Sequence, residues 1–192
     1  MKYEEKKFNL PTLNGISEKT ITEHLKLYAG YVKHLNLIHE IVENPDNPEY
    51  ARREAYRRQG FEFGGMRNHE YYFSLLEGGP KPLPEDSALY KKIIEQRGSL
   101  EKCLETFKKL TVTRGPGWAM LGYDKETDRL IQYWVDEQHS GHLPGVSPII
   151  ALDMWEHAFY LDYVTADKSK YVDAFFANLN WTVAEKFFEN AK

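Results

Sequence analysis

Between Glu77 and Ser87 the chain reads EGGPKPLPEDS, with three prolines and two glycines in one short span. Proline lacks a backbone donor and glycine carries no conformational preference, so neither a helix nor a central strand runs through such a segment. The texture differs on its two sides. Before it, EKTITEHLKLYAGYVKHLNLIHEIVEN places Ile21, Leu25, Tyr28, Val32 and Leu35 at helical spacing behind Ser17, a capping residue. The turn NPDNP then leads into EYARREAYRRQGFEFGGMRNHEYYFSLL, a second long helical pattern that Gly64-Gly65 is expected to loosen. Two long helices about a short turn predict a hairpin. After the break, ALYKKIIEQRG and SLEKCLETFKKL read as helices. The runs GWAMLGYD, RLIQYWVDE and SPIIALDM are short, aromatic or β-branched, and predict three strands, the first pair antiparallel about DKETD. The segment from Lys168 to Ala191 closes the chain as one or two helices. The expectation is an α+β chain: a helical hairpin over residues 1–80, then an α/β domain over 81–192 with a three-stranded antiparallel sheet flanked by helices.

Composition narrows the function classes. The 192 residues carry a net charge of −4, without the basic field that a nucleic-acid protein normally needs. No window approaches the roughly 20 apolar residues of a membrane span, and MKYEEKKFNLPTL lacks the apolar core of a signal peptide. The lone Cys103 cannot form an internal disulfide, and its helical setting reads as a small hydrophobe on a helix face. A cytoplasmic protein with no nucleic-acid or membrane partner is expected.

The densest chemistry lies in LDMWEHAFYLDY, Leu152 to Tyr163, where three acids and one histidine sit among four aromatic rings. Asp153 and His157 converge if the segment is helical, and equally if Asp153 ends a strand and His157 follows a corner. Of seven histidines, His24, His69 and His157 have informative surroundings; His34 and His39 read as solvated helix residues. Three imidazoles and a carboxylate suit iron, manganese, zinc or copper better than calcium or magnesium. The spacings alone leave a candidate metal protein.

DMWEHAFYLDY closely resembles the D-x-W-E-H-A-Y-Y signature of the iron/manganese superoxide dismutases, with Phe159 for the usual tyrosine. YVKHLN, GGMRNHEYYF, GPGWAML and NLNWTVAEKFF resemble further segments of that family, so the likeness runs along nearly the whole chain. The resemblance implies a helical hairpin followed by an α/β domain, with one Mn or Fe ion per subunit held by His24, His69, Asp153 and His157. It implies disproportionation of superoxide, in a homodimer or homotetramer. Trp118 and Trp155 would wall the cavity. Glu156 and Tyr160 would sit at a two-fold interface. The glutamine that such enzymes direct at metal-bound solvent is absent from the N-terminal half, where Gly65 stands. Gln138 supplies it instead, in the manganese-type arrangement, with His139 as a rival donor. The first helix is one residue shorter than the family's, six residues separating His24 from Tyr31. A regular α-helix without a bulge would then make Tyr31 the gateway tyrosine and put Tyr28 in the place of a family histidine; alignment without slippage would put Val32 at the gateway. Met120 replaces a family tryptophan, and only Lys168 and Lys170 stand where the family has a basic gate residue. A non-catalytic homologue of the same fold is the competing expectation.

Overall fold

Hydroxyl and amide side chains open most of the helices. In the computed structural model, which describes residues 2–192, Ser17 Oγ accepts from the Thr20 amide at 3.2 Å and starts α1, Glu18–Glu43. Ser87 caps α3, Ala88–Arg97, and Ser99 caps α4, Leu100–Leu110; Asn180 caps α6, Trp181–Ala191. Each such cap satisfies an otherwise orphaned amide and contributes about 1 kcal/mol. Gly98 ends α3 in the left-handed region at φ 81°, a conformation that costs a side-chain-bearing residue. The other helices are α2, Glu49–Leu76, and α5, Lys168–Asn178.

α1 and α2 form the expected hairpin, and α2 packs on the sheet behind it. The expected loosening of α2 at Gly64-Gly65 does not occur; the helix is continuous there. The two glycines serve close approach instead. A Cβ on Gly64 would overlap the Gln138 carbonyl, and one on Gly65 would overlap the Tyr31 ring.

The three strands are β1, Gly117–Asp124, β2, Arg129–Asp136, and β3, Val146–Asp153, in the order β2-β1-β3 with both pairs antiparallel. Asp124 makes the hairpin turn by accepting from the Glu126 amide and the Thr127 hydroxyl. Registration places Trp118 opposite Asp153. Directly opposed residues share a sheet face, so a tryptophan and a carboxylate point the same way at the end of the sheet.

The hydrophobic core is continuous across the proline-rich break. It runs from Leu13 through Tyr72 and Phe73 of α2 to Leu152 of β3 and Phe188 of α6. Ile38, Val42 and Ala55 form a separate small cluster in the hairpin. Cys103 is buried, as a small hydrophobe would be. His39 departs from the solvated reading: it is half-buried and meets the Tyr3 ring edge-on at 5.6 Å. The packing brings the middles of α1 and α2 over the end of β3.

Candidate metal centre

Four side chains from four different segments meet at that point. Donor atoms of His24, His69, Asp153 and His157 all lie within 4.8 Å of one another. His24 comes from the second turn of α1 and His69 from the last third of α2. Asp153 is the last residue of β3, and His157 lies in the single 3₁₀ turn Glu156–Ala158. The strand-and-corner alternative is therefore how Asp153 and His157 converge. Asp153 Oδ1 accepts from the Trp155 amide at 2.8 Å, which fixes the corner. Asp153 Oδ2 faces inward, 3.1 Å from His24 Nε2, 3.1 Å from His157 Nε2 and 3.5 Å from His69 Nε2.

The protonation pattern favours a cation in the middle. His69 Nδ1 lies 2.6 Å from the Gly65 carbonyl, which can only accept, so Nδ1 carries the proton. Nε2 of that neutral ring then aims a lone pair at the Asp153 carboxylate, and it has no hydrogen-bond partner. Burial, reinforced by the neighbouring His24, pushes the His69 imidazole down to about 3. Burial also lowers His24, against the pull of Asp153. Burial raises the Asp153 carboxyl, but charge and hydrogen bonds from His157 and His24 outweigh it and hold it well below the carboxylate range. Neutral imidazoles turned toward a carboxylate, with a buried nitrogen left unpaired, make a set that a transition-metal ion would complete. The mixed nitrogen and oxygen donors fit iron or manganese.

Aromatic rings surround the cluster. Trp118 is fully buried and meets His69 edge-on at 5.0 Å, and Trp155 stacks on His157 at 5.7 Å. The Trp155 indole N–H donates to the Glu137 carbonyl at 3.1 Å. Phe73 and Tyr72 each lie 5.0 Å from His24. These two went unassigned in the sequence, although i+3 and i+4 spacing from His69 places them on its helix face.

Gln138 sits at the centre of a chain of hydrogen bonds. Its Oε1 accepts from the Trp118 indole at 2.9 Å, and its Nε2 donates to the Tyr31 hydroxyl at 3.0 Å. Its main-chain carbonyl accepts from Asn68 Nδ2 at 3.1 Å, a contact that no sequence signal singled out beyond the position of Asn68 beside His69. α1 is an unbroken α-helix, and Tyr31, seven residues after His24, lies 5.1 Å from the His69 ring. Burial raises the Tyr31 hydroxyl far above its usual range, with Asp153 and Glu62 adding to the effect, so it stays protonated. Val32 is buried in the hydrophobic core.

Two expected residues are not brought to the cluster. Tyr28 turns its hydroxyl to the α2 side, accepting from the Lys6 amide at 2.8 Å and donating to Glu70 at 3.2 Å. Its ring packs against Phe8 and Phe73. His139 follows Gln138 in the turn closed by the Asp136–Ser140 backbone pair, where Glu137 has φ 52°. Its ring meets Phe61 edge-on at 5.7 Å. Glu156 and Tyr160 are both exposed beside the His157 corner.

Comparison with known proteins identifies the family. The family profile described as iron/manganese superoxide dismutases, C-terminal domain, matches residues 84–187. The superoxide dismutase [Fe] of Aquifex aeolicus is 37% identical over 188 residues, covering 93% of this chain and 87% of that protein. The superoxide dismutase [Fe] of Cupriavidus metallidurans is 35% identical, covering 93% and 91%. The superoxide dismutase [Mn] of Mycolicibacterium paratuberculosis is 34% identical, covering 88% and 82%. With a matching profile over more than half its length and relatives of both metal types along nearly all of it, the chain belongs to the iron/manganese superoxide dismutase family.

Proposed function

We propose that the chain disproportionates superoxide, two superoxide ions and two protons giving dioxygen and hydrogen peroxide, with one iron or manganese ion held by His24, His69, Asp153 and His157. The supporting observation is the meeting of three imidazoles and one carboxylate within 4.8 Å at a buried point. When bound, the ion would supply the one-electron redox chemistry that the two half-reactions need. The carboxylate of Asp153 offsets part of the cation's charge. Trp118, Trp155 and Phe73 exclude bulk water and keep the imidazoles in place.

Proton delivery falls to Gln138 and Tyr31. An amide nitrogen carries two N–H groups and Tyr31 takes one of them. The other has no protein acceptor among the described residues and would be available to hydrogen-bond solvent beside the four donors. Tyr31, protonated throughout the physiological range, can hand a proton toward the reduced oxygen and be resupplied from outside. A donor from the C-terminal half, with Gly65 opposite, is the manganese-type arrangement, and Mn is the metal we favour for turnover. The division into residues 1–80 and 81–192 remains our reading of the chain's organisation, each part supplying two ligands. A homodimer or homotetramer built on Glu156 and Tyr160 is proposed on their exposure beside the site. Among the described residues no helix is long and apolar enough to cross a membrane; a cytoplasmic setting is likewise proposed.

Elemental analysis and superoxide assays on separately Mn- and Fe-loaded protein test this. One ion per chain with rapid turnover is expected, faster for Mn. Stoichiometric loading by both metals without turnover would reject the activity and leave a non-catalytic metal-binding homologue.

A further inference from the structure

A cavity of about 420 Å³ lies between α2 and the loop that joins β2 to β3, and none of the four metal donors lines it. Its size suits a small organic molecule. Phe63 and Leu143 line it while 39% and 37% exposed, so apolar surface is open to solvent here. Among the described residues no acid lines it, whereas Arg67, His139 and His142 do. Burial lowers the His142 imidazole, offset in part by a hydrogen bond to the Gln138 main chain. His139 Nδ1 is buried without a hydrogen-bond partner.

Charge beside the cavity is set by one acid and two cations. The buried Glu70 accepts from Arg67 at 2.6 Å and pairs with Lys6 at 3.0 Å, so the trio keeps a net positive charge. Arg67 spends one terminal nitrogen on Glu70; its Nε and its other terminal nitrogen have no acceptor among the described residues. The guanidinium carbon lies 5.5 Å from the centre of the Phe63 ring. A free N–H fork beside an aromatic ring matches a carboxylate carried on an aromatic ring: Arg67 takes the carboxylate, and Phe63 and Leu143 take the ring.

The same cavity borders the backbone of Gln138. Gly64, on its wall, lies so close to the Gln138 carbonyl that a Cβ would overlap it, and Asn68 donates Nδ2 to that carbonyl at 3.1 Å. The Gln138 amide in turn meets Trp118 and Tyr31. Resting on the role proposed above for Gln138, we infer that this cavity is a regulatory site for an aromatic carboxylate, whose binding shifts the Gln138 loop and slows turnover. An occupant presses on Asn68 and His139, the two side chains of the wall nearest that loop's carbonyl and its chain neighbour, and touches neither the metal ligands nor Tyr31.

Benzoate is the probe. Calorimetric titration of metal-free and metal-loaded protein should show one benzoate per chain, bound about tenfold more weakly by Arg67→Gln and more weakly still by Leu143→Glu, with Arg67→Lys between wild type and Arg67→Gln. Benzyl alcohol should bind more weakly than benzoate, and benzylamine should not bind. In the metal-free protein the indole N–H resonance of Trp118, identified by its loss in Trp118→Phe, should move on titration, because that N–H donates to Gln138. In active metal-loaded protein, saturating benzoate should lower kcat on the order of fivefold, at the low end of coupling between sites, and the same concentration should leave Leu143→Glu unaffected. Equal benzoate affinity in wild type, Arg67→Gln and Leu143→Glu would overturn the site, as would benzylamine binding as tightly as benzoate. Benzoate bound with a stationary Trp118 resonance, or with an unchanged kcat in active protein, would overturn the regulation. If the loaded protein lacks dismutase activity while benzoate still binds the metal-free protein and moves Trp118, the site stands and only the proposed reaction fails.

Discussion

The helical hairpin and the mixed half each deliver two side chains to the candidate metal centre, by different means. His24 and His69 project from the interiors of long helices, and their rings are fully buried. Their positions follow from helix packing, including the contact that Gly65 allows between α2 and the Tyr31 ring. Asp153 and His157 sit where regular structure stops, one at a strand end and one in a single 3₁₀ turn. Their positions follow from sheet register and from the hydrogen bond between the Trp155 amide and Asp153. The helical pair forms the dry wall of the site, while the strand-end pair includes His157, whose side chain is 18% exposed.

Removing one ligand from each half gives the largest expected effect and tests this contrast directly. His69→Gly and His157→Gly should both lose the ion and turnover, by more than the roughly 10- to 100-fold that losing an outer partner of a ligand costs. Added imidazole should distinguish them. It should reach the vacated His157 position through the cavity that His157 lines and restore metal content there, while the buried His69 position should refuse it. Equal rescue at both sites, read by elemental analysis, would break the contrast.

Within the site, the next largest effect belongs to Gln138. Gln138→Leu should keep most of the metal and slow turnover by about 10- to 100-fold, because the ligands remain while the bond to Tyr31 and the indole contact of Trp118 are lost. Metal content and kcat measured on the same sample decide it; an unchanged kcat would remove Gln138 from proton delivery.

The same contrast explains what the sequence made legible. Helical spacing and Ser17 were enough to place α1, and the short aromatic or β-branched runs placed the strands. The ligand set came from a motif, since His24 and Asp153 lie 129 positions apart and no local pattern links them. Gly64-Gly65 misled, because glycine lowers helix propensity while the tertiary contacts that require it are invisible locally. The hydrogen bonds of the Tyr28 hydroxyl to Lys6 and Glu70 were invisible locally as well. Spacing fixes the face of a helix that a residue occupies, but not how far its side chain reaches. Gln138 and His139 are adjacent in one turn, and only the fold shows that the Gln138 amide meets Trp118 and Tyr31 while the His139 ring meets Phe61.

Acidification probes the buried imidazoles with no mutation. In the metal-free protein His69 is held at about 3 against 6.5 for a free histidine, so between those values the unfolded chain binds a proton that the folded one refuses. Stability is then fully present above about 6.5 and falls as pH drops toward 3, by up to about 1.4 kcal/mol per pH unit for each such group. His24, also lowered, adds in the same direction. Asp153, depressed, adds its own loss only below its unfolded value of 3.8. Urea midpoints of the metal-free protein from about pH 7 to about pH 4.5 should fall accordingly, and a flat series would mean that the imidazoles are not held neutral.

The smallest effect should come from Tyr28→Phe, which keeps the ring and removes the hydroxyl. The ring packs on Phe8 and Phe73, so the hydrophobic contacts survive. Glu70 keeps Arg67 at 2.6 Å and Lys6 at 3.0 Å, so its carboxylate stays paired. What is lost is the acceptor for the Lys6 amide, a cost of about 1 kcal/mol. Because the hydroxyl faces Glu70 and not the metal centre, turnover and metal content should match wild type, while the urea midpoint drops slightly. A variant of normal stability with severalfold slower turnover would put Tyr28 back at the reacting end of the hairpin, and would mean that the helical half does more than hold its two ligands in place.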